Sequence, residues 1–265
     1  MNAIMNYPGA KWALADWIID RFPPHHSYLE PFFGSGAVLF NKPRSHIETV
    51  NDLDGQVVNL FRWIRDDPQR LAEAVYWTPY ARETYQAAFV EQDRADSLRR
   101  AVDFYTRLMM GHGYRTTGER VGWKRDVAGR ERAYAAEYWR AAPEVIKQAA
   151  ERLRGVQIER RPAVELILAS NQPNVLIYAD PPYLLSTRHG KQYRHEMTDA
   201  DHQELLDALK AHRGPVLLSG YDSELYREAL KGWQREERTA LAQDSTRRRE
   251  VLWMNFEPPG QEKLF

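Results

Sequence analysis

The sequence predicts an α/β fold in which helices cover both faces of a mostly parallel sheet. Short apolar runs alternate with helical stretches at both ends of the chain, which is the pattern of βα units. The run at 175–179 is almost continuously apolar, as expected for a strand that is buried on both faces. Strand patterns are scarce between about residues 65 and 154, so the middle of the chain predicts a mostly helical insertion.

The N-terminal elements follow from hydrophobic spacing and from turn residues. A helix is predicted over 11–21, where Leu, Trp and Ile side chains recur on one face. A strand over 28–32 leads into a glycine turn at 34–36 and a further helix. A second strand over 47–50 precedes a helix whose apolar residues, between 57 and 64, face a core.

The C-terminal half resumes the alternation. Strands are predicted over 156–158, 175–179, 216–219 and 250–255. A helix is predicted from Thr198 to His212, and its first residues resemble a capping box with Asp in place of the usual Glu. These elements assign 1–64 and 151–265 to the sheet domain and 65–150 to the insertion.

Length and composition exclude several classes of protein. The 265 residues suit one large α/β domain with an insertion, and the absence of cysteine excludes disulfides, cysteine-ligated zinc and thiol nucleophiles. No secretory signal and no apolar run of about 20 residues is found, so we expect a cytoplasmic protein without a membrane segment. The oligomeric state stays open, and the sequence is compatible with a monomer.

The charge is unevenly distributed along the chain. In total 37 basic residues balance 37 acidic ones, but residues 99–161 hold 15 Lys and Arg against 8 Asp and Glu. A local basic excess is typical of nucleic-acid binding, and arginines can read guanine edges while Lys and Thr contact phosphates. We predict DNA contacts from Arg115, Arg120, Lys124 and Arg125. The composition also fits a solvated basic helical region with a flexible loop.

A glycine turn and an acidic residue point to a nucleoside ligand. Gly34 and Gly36 let the backbone turn tightly between a strand and a helix, and Asp52 ends the next strand, 16 residues after Gly36. A carboxylate at that place can accept hydrogen bonds from ribose hydroxyls. The turn lacks the three-glycine dinucleotide spacing and a phosphate-binding Gly-Lys-Ser/Thr sequence. An ordinary turn with a helix-capping Asp remains the alternative.

Tyr7-Pro-Gly-Ala-Lys11 places a cation beside an aromatic residue at the start of the first predicted helix. The helix dipole disfavours a cation at that end, so the position indicates a functional role for Lys11. A solvated lysine after a turn is the alternative.

Asp180-Pro181-Pro182-Tyr183 directly follows the buried strand at 175–179. Two prolines stiffen the chain and fix the neighbouring carbonyl groups. The Asp180 carboxylate and the Pro181 carbonyl can both accept from an exocyclic amine, while Tyr183 stacks on the ring that bears it. These bonds make the lone pair of the amine available as a nucleophile. A proline-stiffened strand exit with a surface tyrosine is the alternative.

Taken in their order, these segments resemble the Dam-like DNA adenine-N6 methyltransferases. The similar segments are 7–11, 30–36, 51–52 and 180–183, followed by 217–221 and 249–255. The resemblance implies a Rossmann-like class I methyltransferase sheet, S-adenosylmethionine as cofactor and double-stranded DNA as partner. It also implies methyl transfer to a flipped-out adenine, a reaction that requires no metal.

The resemblance also assigns site residues. The tetrapeptide from Asp180 to Tyr183 becomes catalytic, and the cofactor-binding residues are Tyr7, Lys11, Glu30, Phe32, Gly34, Gly36, Asp52 and Asp180. The family often has an acidic residue near the cofactor's adenine where this chain has Pro162. Glu159, Glu165 or backbone groups could replace it, and the contact stays unassigned.

Alternative functions remain open. The same tetrapeptide chemistry suits cytosine N4 or a base in RNA. A catalytically silent DNA-binding regulator could keep the same fold, although it would have no chemical need for the intact tetrapeptide and glycines. The sequence specifies neither the recognised DNA site nor whether a partner nuclease exists.

Overall fold

A computed structural model describes residues 3–90, 95–113, 115–127, 134–188, 190–241 and 247–259. The described residues form one seven-stranded sheet. Its strands are β1 (Ser27–Glu30), β2 (Ile47–Asn51), β3 (Gln157–Glu159), β4 (Val175–Ala179), β5 (Val216–Tyr221), β6 (Gln234–Leu241) and β7 (Arg247–Met254).

The sheet order is β3-β2-β1-β4-β5-β7-β6. Strands β1 to β5 pair in parallel, whereas β7 lies antiparallel between β5 and β6. The order reverses between β1 and β4, and ligands of such sheets bind at that switch point, beyond the carboxyl ends of the strands. Glu30, Asp52 and Asp180 all lie at or just after these ends.

Helices cover both faces of the sheet. They are α1 (Ala15–Ile19), α2 (Ala37–Asn41), α3 (Gly55–Asp66), α4 (Pro68–Tyr76), α5 (Arg82–Ala87), α6 (Ser97–Met110), α7 (Tyr134–Leu153), α8 (Ala163–Ala169), α9 (Asp199–Ala211) and α10 (Glu224–Ala229). The α/β fold and its helical middle are therefore confirmed. None of the helices in the described ranges is long and apolar enough to cross a bilayer.

Two hydrophobic clusters pack on opposite faces of the sheet. Strand β4 contributes to both, since Leu176 and Tyr178 join one cluster and Ile177 and Ala179 join the other. The first cluster also contains buried residues of α3, α4, α6 and α7, and the second contains those of α8 and α9. The helices between β2 and β3 thus share their core with the sheet. A separate recognition role for 65–150 stays a prediction.

Some predicted boundaries need correction. The first helix is shorter than 11–21, because Lys11 lies in a turn and α1 begins only at Ala15. Strand β1 ends at Glu30, before Phe32, and β7 begins three residues earlier than predicted. Strand β6 was missed because its sequence, Gln-Arg-Glu-Glu-Arg-Thr-Ala-Leu, lacks apolar alternation, as suits a charged edge strand.

The predicted capping box at the start of α9 is confirmed. The Asp201 amide donates to Thr198 Oγ1 at 3.2 Å, and the Thr198 amide donates to Asp201 Oδ2 at 2.7 Å. Both groups satisfy backbone donors that a helix start leaves unpaired, which fixes where the chain enters α9.

A buried ion network joins the sheet to the helical middle. Glu48 on β2 lies 2.6 Å from Lys42 Nζ and receives two hydrogen bonds from Arg152 on α7, at 2.6 and 2.8 Å. Burial alone would raise the pKa of Glu48, but the hydrogen bonds from Arg152 and Lys42 outweigh it and lower the pKa to about 2. The carboxylate is therefore ionised over the whole physiological range.

Candidate active site

A cavity of about 650 Å³ opens at the carboxyl ends of β1, β2 and β4. It is lined by residues 7–11, by the turns that follow β1 and β2, and by the start of α8. Most of the predicted cofactor residues line this one cavity, namely Tyr7, Lys11, Glu30, Phe32, Gly34, Asp52 and Asp180. Gly36 lies next to it as the N-cap of α2.

The glycine turn after β1 is fixed to the end of β2. Asp52 Oδ2 accepts from the Gly34 amide at 2.9 Å, and Oδ1 accepts from the Asp54 amide at 2.8 Å. Burial raises the pKa of Asp52 to about 7, against the lowering effect of these two amides. The half-buried Asp52 carboxyl therefore holds the turn and lines the cavity.

Only glycine fits the two key positions of this turn. Gly34 and Gly36 have φ values of 49° and 68°, in the left-handed region that side chains rarely adopt. A Cβ atom on Gly34 would lie 2.9 Å from the ring of Tyr7, and one on Gly36 would lie 2.5 Å from the ring of Phe33. The turn thus places backbone atoms without a side chain at the cavity wall.

Lys11 is buried between two carboxyl groups. Its Nζ lies 3.0 Å from Asp180 Oδ1 and 3.5 Å from Glu250 Oε1, and it donates to the Gly9 carbonyl at 2.7 Å. Burial would lower the pKa of Lys11, but Asp180 and Glu250 outweigh it and raise the pKa, so the ammonium stays charged. These carboxyls explain the buried cation, and the predicted position at the start of a helix was wrong.

The tetrapeptide follows β4 and places Tyr183 beside Lys11, Asp180 and Glu250. The Tyr183 hydroxyl donates to Asp180 Oδ1 at 3.0 Å or to Glu250 Oε1, since it has one proton for two acceptors. Its ring meets the Tyr221 ring edge-on, with 4.6 Å between centroids. Asp180 and Pro182 line the cavity, whereas Tyr183 contacts Tyr221 of β5 and Glu250 of β7.

Glu30 adds a largely neutral acid to the cavity wall. It is buried and accepts from the Tyr28 hydroxyl at 2.8 Å. Burial raises the pKa of Glu30 to about 8, although the Tyr28 hydrogen bond acts in the opposite direction. The carboxyl is therefore mostly protonated near neutral pH and can donate as well as accept.

Comparison with known proteins gives this site its chemistry. Residues 7–243 match the family of D12 class N6 adenine-specific DNA methyltransferases. The chain belongs to this family. It is similar to the DNA adenine methylase of Salmonella typhi, with 27% identity over 246 residues, which cover 86% of this chain and 83% of the relative. The DNA adenine methylase of Escherichia coli strain K12 is 25% identical over 243 residues, with the same coverage.

The chain is therefore an adenine-specific DNA methyltransferase, and the family resemblance predicted from the sequence is confirmed. The match includes the glycine turn, the tetrapeptide and the helices between β2 and β3. Among the described residues of the methyltransferase, no three His, Asp or Glu side chains are grouped so as to hold a metal ion.

The four predicted DNA contacts of the methyltransferase lie in two environments. Arg115, Arg120 and Arg125 are exposed, with Arg115 3.3 Å from Glu119 and Arg120 over the Phe89 ring. Lys124 is half-buried, and its Nζ donates to the Met109 carbonyl at 3.1 Å. Burial lowers the pKa of Lys124 to about 8. The three arginines present their charge to solvent, while Lys124 also anchors its loop.

That loop is fixed to α5, to the segment before it and to the end of α6. Tyr85 and Tyr80 donate through their hydroxyls to the carbonyls of Val121 and Lys124, at 2.8 and 2.9 Å. Gly111 and Trp123 form an antiparallel bridge. The exposed arginines thus project from a loop that is anchored to the helical middle.

Sequence reasoning missed a segment over 190–197 that touches both the cavity and the loop. The Tyr193 hydroxyl donates to the Pro8 carbonyl at 3.1 Å. On the other side, the Arg194 amide donates to Thr116 Oγ1 at 3.0 Å, and the Thr116 amide donates to the Gln192 carbonyl at 2.9 Å. No periodic pattern marks this segment, because its contacts are made with residues far away in sequence.

Glu250 was also missed as a site residue. It follows Arg249 in a run of charged residues and therefore resembles a surface position. Antiparallel pairing of β7 with β5, which sets Glu250 opposite Tyr221, is what buries it. The only available signal was its place in the segment 249–255, which resembles a closing segment of the family.

Proposed function

We propose that this methyltransferase transfers a methyl group from S-adenosylmethionine to N6 of an adenine flipped out of double-stranded DNA. The observation that carries the proposal is the shared cavity, which is lined by Asp180, by the glycine turn and by Asp52. One wall suits a nucleoside, and another carries the acceptor for an amine. Because DNA is the substrate, we expect the enzyme to work in the cytoplasm.

The cavity suits a cationic nucleoside cofactor. Asp52 keeps lone pairs for ribose hydroxyls beyond those used by the Gly34 and Asp54 amides. Phe32, which follows β1, and Pro162 and Val164, which follow β3, line the cavity and give it apolar surface for an adenine ring. Pro162 stands where the family often has an acidic residue, and Glu165, which also lines the cavity, is the acidic side chain available at this end. When bound, S-adenosylmethionine supplies a methyl group on a sulfonium centre.

Asp180 is oriented before any substrate arrives. Its Oδ1 is engaged by Lys11 Nζ and by the Tyr183 hydroxyl, each at 3.0 Å, so Oδ2 is the oxygen that accepts from the substrate amine. The carbonyl of Pro181, which the proline ring stiffens, accepts the second N–H. These bonds hold the amine in line for transfer and stabilise the positive charge that develops on it.

The decisive test is to incubate the protein with S-adenosylmethionine and unmethylated DNA, followed by sequencing that detects modified bases. N6-methyladenine at a fixed site is the expected result. N4-methylcytosine, methylation confined to RNA, or cofactor binding without any methylation would each contradict the proposal. The same experiment reports the recognised sequence.

Replacing Gly34 with alanine should weaken S-adenosylmethionine binding by roughly tenfold or more, because the new Cβ would lie 2.9 Å from the Tyr7 ring. Titration calorimetry measures the effect. Gly155→Ala is the matched control, since Gly155 also has a positive φ, of 83°, but has nothing within 4 Å of its Cβ position. Equal affinities in the two variants would show that the turn does not cradle the cofactor.

Replacing Arg120 with alanine should weaken DNA binding and make it less sensitive to salt. Each lost phosphate contact reduces the magnitude of the negative slope of log K against log salt by about 0.9. Fluorescence anisotropy at several salt concentrations measures this, with Arg140→Ala, an exposed arginine on α7, as the control. Unchanged slopes in both Arg120→Ala and Arg115→Ala would remove this loop from the DNA footprint.

A further inference from the structure

We propose that Glu250 is a positioning residue for methyl transfer, because it shares Lys11 and Tyr183 with Asp180 and so sets the charge that Asp180 presents to the substrate amine. The inference rests on the proposed function, in which Asp180 accepts from that amine. It adds a second carboxyl to the contacts that Lys11 and Tyr183 make with Asp180, from β7, which lies two strands away from β4 in the sheet.

Glu250 contacts the same two donors as Asp180. Its Oε1 lies 3.5 Å from Lys11 Nζ and also accepts from the Tyr183 hydroxyl, and its side chain is only 7% exposed. The pairing of β7 with β5 places Glu250 opposite Tyr221, whose ring packs against Tyr183. Strand pairing, rather than a flexible loop, therefore holds Glu250 in place.

The cluster of Lys11, Asp180 and Glu250 has more carboxyl groups than cations. One ammonium, that of Lys11, faces the two carboxyls of Asp180 and Glu250, so full ionisation leaves one negative charge uncompensated in a buried place. Burial raises the pKa of both carboxyls, and Lys11 opposes the rise in each. Two carboxyls that share their donors titrate as one coupled pair.

Other ionisable groups face this pair without balancing it. Tyr178, Tyr183 and Tyr193 have pKa values raised by burial and stay neutral, and Glu30 interacts with Asp180 as a like charge when both are ionised. Arg238 is the register partner of Glu250 on β6, but its guanidinium lies over the Trp17 ring, 5.9 Å from the centroid. Among the described residues, Lys11 is therefore the cation that both carboxyls share.

The role of Glu250 follows from this competition for donors. While Glu250 takes part of the Lys11 charge and the Tyr183 proton, Asp180 keeps more negative charge for the amine. A glutamine at 250 would turn both donors towards Asp180 and remove a like charge. Asp180 would then ionise at lower pH but accept more weakly from the amine.

The test is single-turnover methyl transfer measured as a function of pH, in the wild type and in Glu250→Gln. We expect the plateau rate to fall about tenfold, with cofactor and DNA affinities within about threefold, and the acid limb to move to lower pH by about one pH unit. Glu237→Gln, an exposed position on the neighbouring β6, is the control and should leave both unchanged.

An acid limb that stays in place would overturn the inference even if the rate fell, because a purely structural role predicts that outcome. Carboxyl-carbon NMR titration of the wild type provides a second measurement that needs no variant. Asp180 and Glu250 should each titrate in two steps, whereas independent single steps would also overturn the inference. A wild type that does not methylate adenine would instead refute the proposed function.

Discussion

Replacing Asp180 with asparagine is expected to lower the rate of methyl transfer by about 10²–10³-fold. Asparagine keeps the size of the side chain, but it is uncharged and holds two amide hydrogens where a carboxylate oxygen accepted. The variant loses the acceptor for the amine, and Lys11 loses its partner at 3.0 Å. The cofactor affinity should change far less, since Asp52 and the glycine turn are untouched.

Single-turnover rates and titration calorimetry separate these two effects. Lys11 keeps Glu250 as a partner in the variant, so we expect a folded protein, which thermal melting checks. Asp207→Asn, at an exposed position on α9, is the matched control. Turnover within tenfold of the wild type would exclude Asp180 as the acceptor.

Replacing Glu48 with glutamine is expected to lower the free energy of unfolding by about 3–5 kcal/mol, because removing one partner leaves buried charges unpaired. Two cations, Lys42 and Arg152, would lose their common carboxylate. Urea denaturation measures the loss. Glu151→Gln, whose side chain is 76% exposed and 3.7 Å from Arg154, should cost less than about 1 kcal/mol. Similar losses in both variants would contradict the assignment.

The same network predicts how stability depends on pH. Since the pKa of Glu48 is lowered from 4.5 to about 2 in the folded state, its contribution is complete above about pH 4.5 and is lost as the pH falls towards 2. Glu48→Gln should therefore flatten the acid side of the stability profile, and an unchanged slope would contradict the low pKa.

Local pattern was enough to predict the elements that are buried from end to end. Strand β4 was placed at its observed bounds because five apolar residues stand between polar neighbours. Strand β6 was missed because edge strands carry charge and lack alternation, and α1 was predicted too long because apolar spacing continues through the turn before it. The hydrophobic pattern therefore predicts buried elements well, and edge strands and helix starts less well.

The site residues likewise fall into those that local sequence predicts and those that it does not. Asp52 could be found because it ends the strand that follows the glycine turn, and Asp180 because it stands between a buried strand and two prolines. Glu250 and Tyr193 could not, since their burial depends on pairing with Tyr221 and on a contact with Pro8, both remote in sequence. Local sequence indicates the chemistry at the strand ends, whereas long-range packing supplies the residues that orient it.

The common core of sheet and helices limits how new DNA specificities can be obtained. Trp139 and Ile146 of α7 pack in the same cluster as Tyr28 and Leu176 of the sheet, so exchanging whole helices between relatives would open cavities beneath the catalytic strands. The exposed arginines near 115–125 stand outside that core. Under the DNA-binding role proposed for this loop, divergence and protein engineering should therefore proceed by grafting the loop onto an unchanged body.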